Sequence, residues 1–153
     1  MYNQLDKDVP AVGVDKDVPL TDIFITKYDR VHSQSVINLL LKKNDLPALP
    51  MDFFPENGFL AIENDKPIGA VLLFKTDSCL MHMQFPVTDP EASSYSRHKA
   101  LSQLINASQL RAKELGFKMV FTYSDSPGLI DRYQKHGFTK YDVGVTHLLW
   151  KDN

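Results

Sequence analysis

The side chains able to move a proton or hold an anion gather at three places along this chain. His82 and Gln84 alternate within the run Leu80-Met81-His82-Met83-Gln84-Phe85-Pro86-Val87. On a strand, Leu80, His82, Gln84 and Pro86 share one face and Met81, Met83, Phe85 and Val87 the other. A histidine near its ordinary pKa is a competent base toward an ammonium group. The competing reading is a structural histidine held by hydrogen bonds in the sheet. Arg97, His98 and Lys99 stand together just ahead of a long apolar-periodic segment. Three basic groups at a helix start oppose the helix dipole, so they are odd as decoration and point to an anion. A solvated basic turn is the alternative. Tyr133 lies one turn before the end of a short helical segment, where an aromatic can also simply close the helix onto a sheet.

Several chemistries are excluded by what is missing. His32, His136 and His147 have no spacing typical of metal ligands, and with a single cysteine no metal is expected. There is no Ser-His-Asp set, no phosphate-binding loop and no deaminase pattern.

The elements that must position these groups follow from length and patterning. At 153 residues the chain reads as one domain. It is long enough to build a core without staples. A net charge of −2 and a pI near 6.2 give no global field for nucleic acid or an anionic membrane. Cys79 cannot form an internal disulfide, and its place inside an apolar run suggests a buried thiol rather than a reactive one. The first twenty residues lack an apolar signal core, and no run reaches the ~18 apolar residues needed to span a bilayer. A soluble, reducing, cytoplasmic setting is the expectation.

Residues 1–21 read as an extended arm. Asp6-Lys7-Asp8-Val9-Pro10 returns as Asp15-Lys16-Asp17-Val18-Pro19, and each proline holds the preceding valine extended. The arm is either loose in solution or laid on a neighbouring subunit. Residues 22–153 form the domain. Strands are expected at Asp22–Lys27, Gly58–Glu63, Ile68–Phe74 and Cys79–Val87, with turns at Asn64-Asp65-Lys66-Pro67 and Thr76-Asp77-Ser78. A helix at Ser33–Lys43 carries the stripe Val36, Ile37, Leu40 and Leu41. A proline-punctuated apolar loop follows it. The long helix buries Leu101, Leu104, Ile105, Ser108, Ala112 and Leu115. A strand at Lys118–Tyr123 and a helix opened by Ser126-Pro127 come next, and a last strand is expected over Tyr141–Trp150. Both C-terminal helices close on the same step, Gly116-Phe117 and Gly137-Phe138. The resulting order, β-α-β-β-β-α-β-α-β, implies an α/β (α+β) fold: a mixed, mostly antiparallel sheet with helices on both faces. The strands flanking the long helix should be parallel neighbours.

This order, over roughly Ile23 to Trp150, resembles the GNAT superfamily of N-acetyltransferases, which use acetyl-CoA. The most specific segment is Ser126 through Phe138, similar to the family's short helix with a tyrosine ahead of Gly-Phe. The resemblance implies that Tyr133 protonates the departing CoA thiolate, a step that needs a proton donor within reach. It also implies that Leu80–Val87 is the strand that splays from its neighbour and pairs with pantetheine. Main-chain N–H groups near Phe85 and Val87 would polarise the thioester carbonyl. Where many members carry a glutamate base, this chain offers His82, or a water held by Gln84. The glycine-rich diphosphate motif is absent, and Ser96-Arg97-His98-Lys99-Ala100-Leu101 occupies its place. Two readings follow. In one, Arg97, His98 and Lys99, with Ser126, hold the cofactor. In the other, the site has decayed, and a catalytically inactive GNAT-like fold serves as a structural or interaction component, such as a bacteriophage virion protein. On the enzyme reading the acceptor is a small-molecule or peptide amine, and homo-oligomers or larger assemblies would form through the arm.

Overall fold

The structure, a computed structural model, describes residues 21–152. The repeated arm at 6–19 lies outside the described residues. Strands β1 (Ile23–Lys27), β2 (Asn57–Glu63), β3 (Lys66–Lys75), β4 (Leu80–Thr88) and β5 (Met119–Phe121) form one sheet in the order β1-β2-β3-β4-β5. The first four are antiparallel neighbours, and β5 joins parallel to β4. The parallel step requires a crossover, which helix α2 (Ser94–Glu114) supplies. Helix α1 (Gln34–Lys43) precedes a 3-10 turn at Met51–Phe53, and α3 (Pro127–Lys135) follows β5.

The local reasons are mostly visible residue by residue. Asn64 and Asp65 both take positive φ, 50° and 60°, as the two-residue turn of the β2–β3 hairpin demands. β3 is buried on both faces from Ile68 to Leu73, which accounts for its unbroken apolar run. α1 buries Ile37, Leu40 and Leu41 and ends on Lys42 and Lys43, which suit the negative end of its dipole. Ser33 stands at the N-cap position, but its hydroxyl accepts from the Asp29 amide rather than from the helix. α2 and α3 close as their Gly-Phe steps predict: Gly116 and Gly137 adopt φ of 84° and 89°. The Phe117 and Phe138 amides then donate back to Ala112 O and Tyr133 O.

The sheet divides two cores. On one face α2 and α3 cover Ile23, Phe59, Ala61, Val71, Leu73, Met81 and Met83. On the other, α1 packs with Tyr28, Phe54, Leu60, Ala70, Leu72 and Val87. A mixed sheet with helices on both faces is therefore present, as the patterning predicts.

Three expectations are corrected. The long helix begins at Ser94, earlier than its apolar stripe, because Ser93 caps it by accepting from the Ser96 amide. The last strand does not form. Residues 139–152 run without strand pairing, and Tyr141, Val143, Leu148, Leu149 and Trp150 are largely exposed. Alternation alone does not make a strand without an edge to join, and β5 offers only three residues. Cys79 is exposed, not buried, because it lies in the turn before β4, where its carbonyl accepts from the Lys118 and Met119 amides. Among the described residues no helix is long and apolar enough to cross a membrane.

Candidate active site

His82 stands where β4 and β5 part. Their parallel ladder holds for Leu80–Met119, Met81–Val120 and His82–Phe121, and there β5 ends. β4 continues through Met83–Thr88 with β3 as its strand partner on one side alone. The edge of β4 that would face β5 therefore carries no strand beyond His82, among the described residues.

A bulge marks this stretch. Gln84 pairs with Leu72 and Val87 with Ala70, so Val71 alone stands opposite Phe85 and Pro86. Phe85 takes a φ of 55°, a left-handed conformation uncommon for a bulky side chain. Pro86 brings no N–H to the ladder, so the break falls where the sequence places it. The extra residue also reverses the alternation beyond it. Met81 and Met83 share the face covered by α2 and α3, but Val87 crosses to the α1 core, contrary to the period-two reading that put all three on one face. Phe85 packs at the margin of both cores.

The proton carriers lie on opposite faces of the sheet. His82 is the register partner of Phe74, and Gln84 of Leu72, so both point to the α1 side. Both are half-buried. The His82 ring meets Phe121 edge-on at 5.4 Å. Tyr133, 4% exposed, sits in the other core with Leu129, Met81 and Met83, and its ring lies 5.3 Å from Phe138.

Ser126 is occupied by structure. Its hydroxyl is buried and accepts from the Leu129 amide as N-cap of α3. The basic trio is divided as well. With α2 beginning at Ser94, Arg97, His98 and Lys99 fall in its second turn and not at its mouth. His98 Nδ1 lies 2.8 Å from an Arg132 guanidinium nitrogen, so it accepts from that donor. Arg132 also donates to His98 O and Ser102 Oγ. His98 thus docks α3 onto α2. Arg132, buried to 7% exposure, was not singled out by sequence; its only signal was a basic residue adjoining Tyr133 on a short helix. Arg97 and Lys99 are half-buried on the same helix.

The loop from β4 into α2 is pinned rather than glycine-lined. Asp89, 1% exposed, bonds the Lys43 ammonium at 3.0 Å and lies 3.4 Å from that of Lys66. Burial pushes the Asp89 carboxyl up, but the Glu91 amide and the two lysines outweigh it and hold the group below its ordinary range. Asn44 ties the α1 end to Thr88 O. At the first turn of α2, Ser96 donates to the Glu63 carboxylate, which also receives Thr21 Oγ1.

Beyond His82 the β4 edge that faces β5 has no strand partner among the described residues, and the bulge lies on this stretch. The α2 end presents the Glu63 carboxylate bonded by Ser96, with the Ser96 amide taken by the Ser93 cap, so this end is built differently from a glycine cradle.

No protein-family model matches the chain, and no curated protein matches it. Solved structures do. A GNAT-family acetyltransferase from Streptococcus pneumoniae superposes with a TM-score of 0.64 at 15% identity, covering 86% of this chain and 98% of the other. An acetyltransferase from Trypanosoma brucei gives 0.60 at 17% identity, covering 84% and 100%. A protein from Mycobacterium tuberculosis, solved in complex with CoA, gives 0.65 at 17% identity, covering 80% and 76%. The chain has the GNAT fold.

Proposed function

We propose that this chain is an acetyl-CoA-dependent N-acetyltransferase that moves an acetyl group directly to a primary amine. The observation carrying the reading is the parting of β4 and β5 after His82, with a bulge at Phe85–Pro86 a few residues on. The likeness to acetyltransferases, one of them with CoA bound, supports the same conclusion.

Acetyl-CoA supplies an activated thioester carbonyl. The chain's own groups divide the remaining work. His82, or a water held by Gln84, takes the proton from the incoming ammonium on the α1 face. Amides near Phe85 and Val87 donate to the carbonyl oxygen as negative charge develops there. The amine nitrogen bonds the carbonyl carbon, the carbon–sulfur bond breaks, and the Tyr133 hydroxyl gives its proton to the sulfur from the opposite face. Arg97, Lys99 and the first-turn amides of α2 hold the diphosphate. His98 contributes by fixing Arg132 and α3 rather than by touching the cofactor, and Ser126 by capping the helix that carries Tyr133.

The test is thermal unfolding with and without acetyl-CoA. At a hundred times its Kd a ligand stabilises by about 2.7 kcal/mol, a shift of several degrees. Release of free thiol on adding an amine then measures transfer. No shift at millimolar acetyl-CoA refutes the proposal.

A further inference from the structure

On the α1 face, above the opening between β4 and β5, lies a row of aromatic side chains contributed by distant parts of the chain. Phe121 of β5 meets the His82 ring at 5.4 Å. His82 neighbours Phe74 across the β3–β4 ladder. Phe53, from the 3-10 turn, contacts Phe74 edge-on at 5.4 Å and Phe85 at 5.8 Å. The row thus runs from β5, past the proposed base, to the bulge. α1 packs farther along, on β3 and the far end of β4 through Ile37, Leu40 and Leu41, and leaves the row's ends open. Phe53 is 40% exposed and Phe121 37%.

Two features indicate what the row receives. β4 and β5 carry no carboxylate, and the 3-10 turn carries one, Asp52, exposed beside Phe53. A polycation with several ammonium groups needs several anions to replace lost hydration, and these three elements supply one. One ammonium with an apolar body needs only aromatic faces, which attract both the cation and a flat ring. Phe85 moreover holds its place at a φ that glycine would adopt without strain. That cost is explained when its ring forms part of a binding surface.

We infer that the row Phe121–His82–Phe74–Phe53–Phe85 seats the acceptor, and that the acceptor is a monoamine bearing an aromatic group. The inference rests on the acetyl-transfer reading for the site's location, and its chemistry is chosen by these rings.

Calorimetric titration of the full chain with 2-phenylethylamine and with spermidine separates the classes. 2-Phenylethylamine should bind at least tenfold tighter than spermidine. Phe53→Ala and Phe121→Ala should each weaken it severalfold, whereas Phe53→Tyr should retain it. Melting curves identify a variant that fails to fold, and Phe53→Leu then takes its place, with the same weakening expected. Equal or tighter binding of spermidine, absence of 2-phenylethylamine binding, or unchanged affinity in the folded alanine or leucine variants overturns the inference. The thermal shift with acetyl-CoA, measured on the same protein, tells the two failures apart. A shift with no aromatic preference sinks the acceptor assignment alone. Aromatic binding with no shift sinks acetyl transfer and leaves the aromatic site standing.

Discussion

Replacing Tyr133 with phenylalanine removes one oxygen from a side chain whose ring has two duties that the substitution separates. The ring is 4% exposed, belongs to the core with Leu129, Met81 and Met83, and lies 5.3 Å from Phe138. Truncation to alanine would open a cavity costing about 3–5 kcal/mol, enough to confuse folding with chemistry. Tyr133→Phe keeps the ring, so stability should fall by no more than about 1.5 kcal/mol, the upper range for one hydrogen-bonding group. That corresponds to roughly 5 °C in melting temperature. Loss of a general acid costs on the order of 10² or more in turnover. A hundredfold is two factors of ten, about 2.7 kcal/mol of activation free energy. Thiol release under saturating acetyl-CoA and amine measures turnover, and melting with and without acetyl-CoA measures stability and binding. The expected result is turnover lowered a hundredfold or more with the acetyl-CoA shift retained. Unchanged turnover would remove Tyr133 from the mechanism and leave its ring a packing element.

Two other substitutions probe the frame. A Cβ at Gly58 would lie 2.8 Å from both Val71 O and Tyr28 Cδ1, and backbone oxygen cannot retreat cheaply, so Gly58→Ala should destabilise by about 1–3 kcal/mol. Thermal melting reads this, and an unchanged melting temperature would mean that β2 and β3 shift freely. Asp89→Asn removes the buried anion facing Lys43 and Lys66 and should cost about 1–3 kcal/mol, discounted because both lysines reach solvent. The Asp89 carboxyl is held below its ordinary range in the folded state, so its contribution is present above about pH 4 and fades as pH falls below that. The parent protein should therefore lose stability on acidification toward pH 3 more steeply than Asp89→Asn, and parallel curves would contradict this.

What sequence made legible was local. The stripe Ile37, Leu40 and Leu41, the Asn64-Asp65 turn and the two Gly-Phe steps each depend on neighbours a few residues apart, and each lies where its pattern puts it. Elements decided by distant contacts were hidden. The start of α2 depends on Ser93 and on Ser96 reaching Glu63, with no apolar residue to announce it. The bulge had one sign, Pro86, which located the broken ladder but not the reversal that carries Val87 into the α1 core. His98 carries a charge pattern suited to an anion, yet Arg132, on another helix, engages it first. The alternating residues of Tyr141–Trp150 satisfy a strand's pattern, but a strand also needs a partner edge, which a pattern cannot supply. The aromatic row was equally out of reach, because Phe53, Phe74, Phe85 and Phe121 come together only when four segments fold.

Amide hydrogen exchange across β4, measured with and without acetyl-CoA, interrogates the opening itself. If the edge beyond His82 receives the pantetheine arm, amides between Met83 and Val87 should slow on adding the cofactor, while the β1–β2 pair changes little. Saturating acetyl-CoA that leaves Met83–Val87 exchange untouched would contradict the account at its centre.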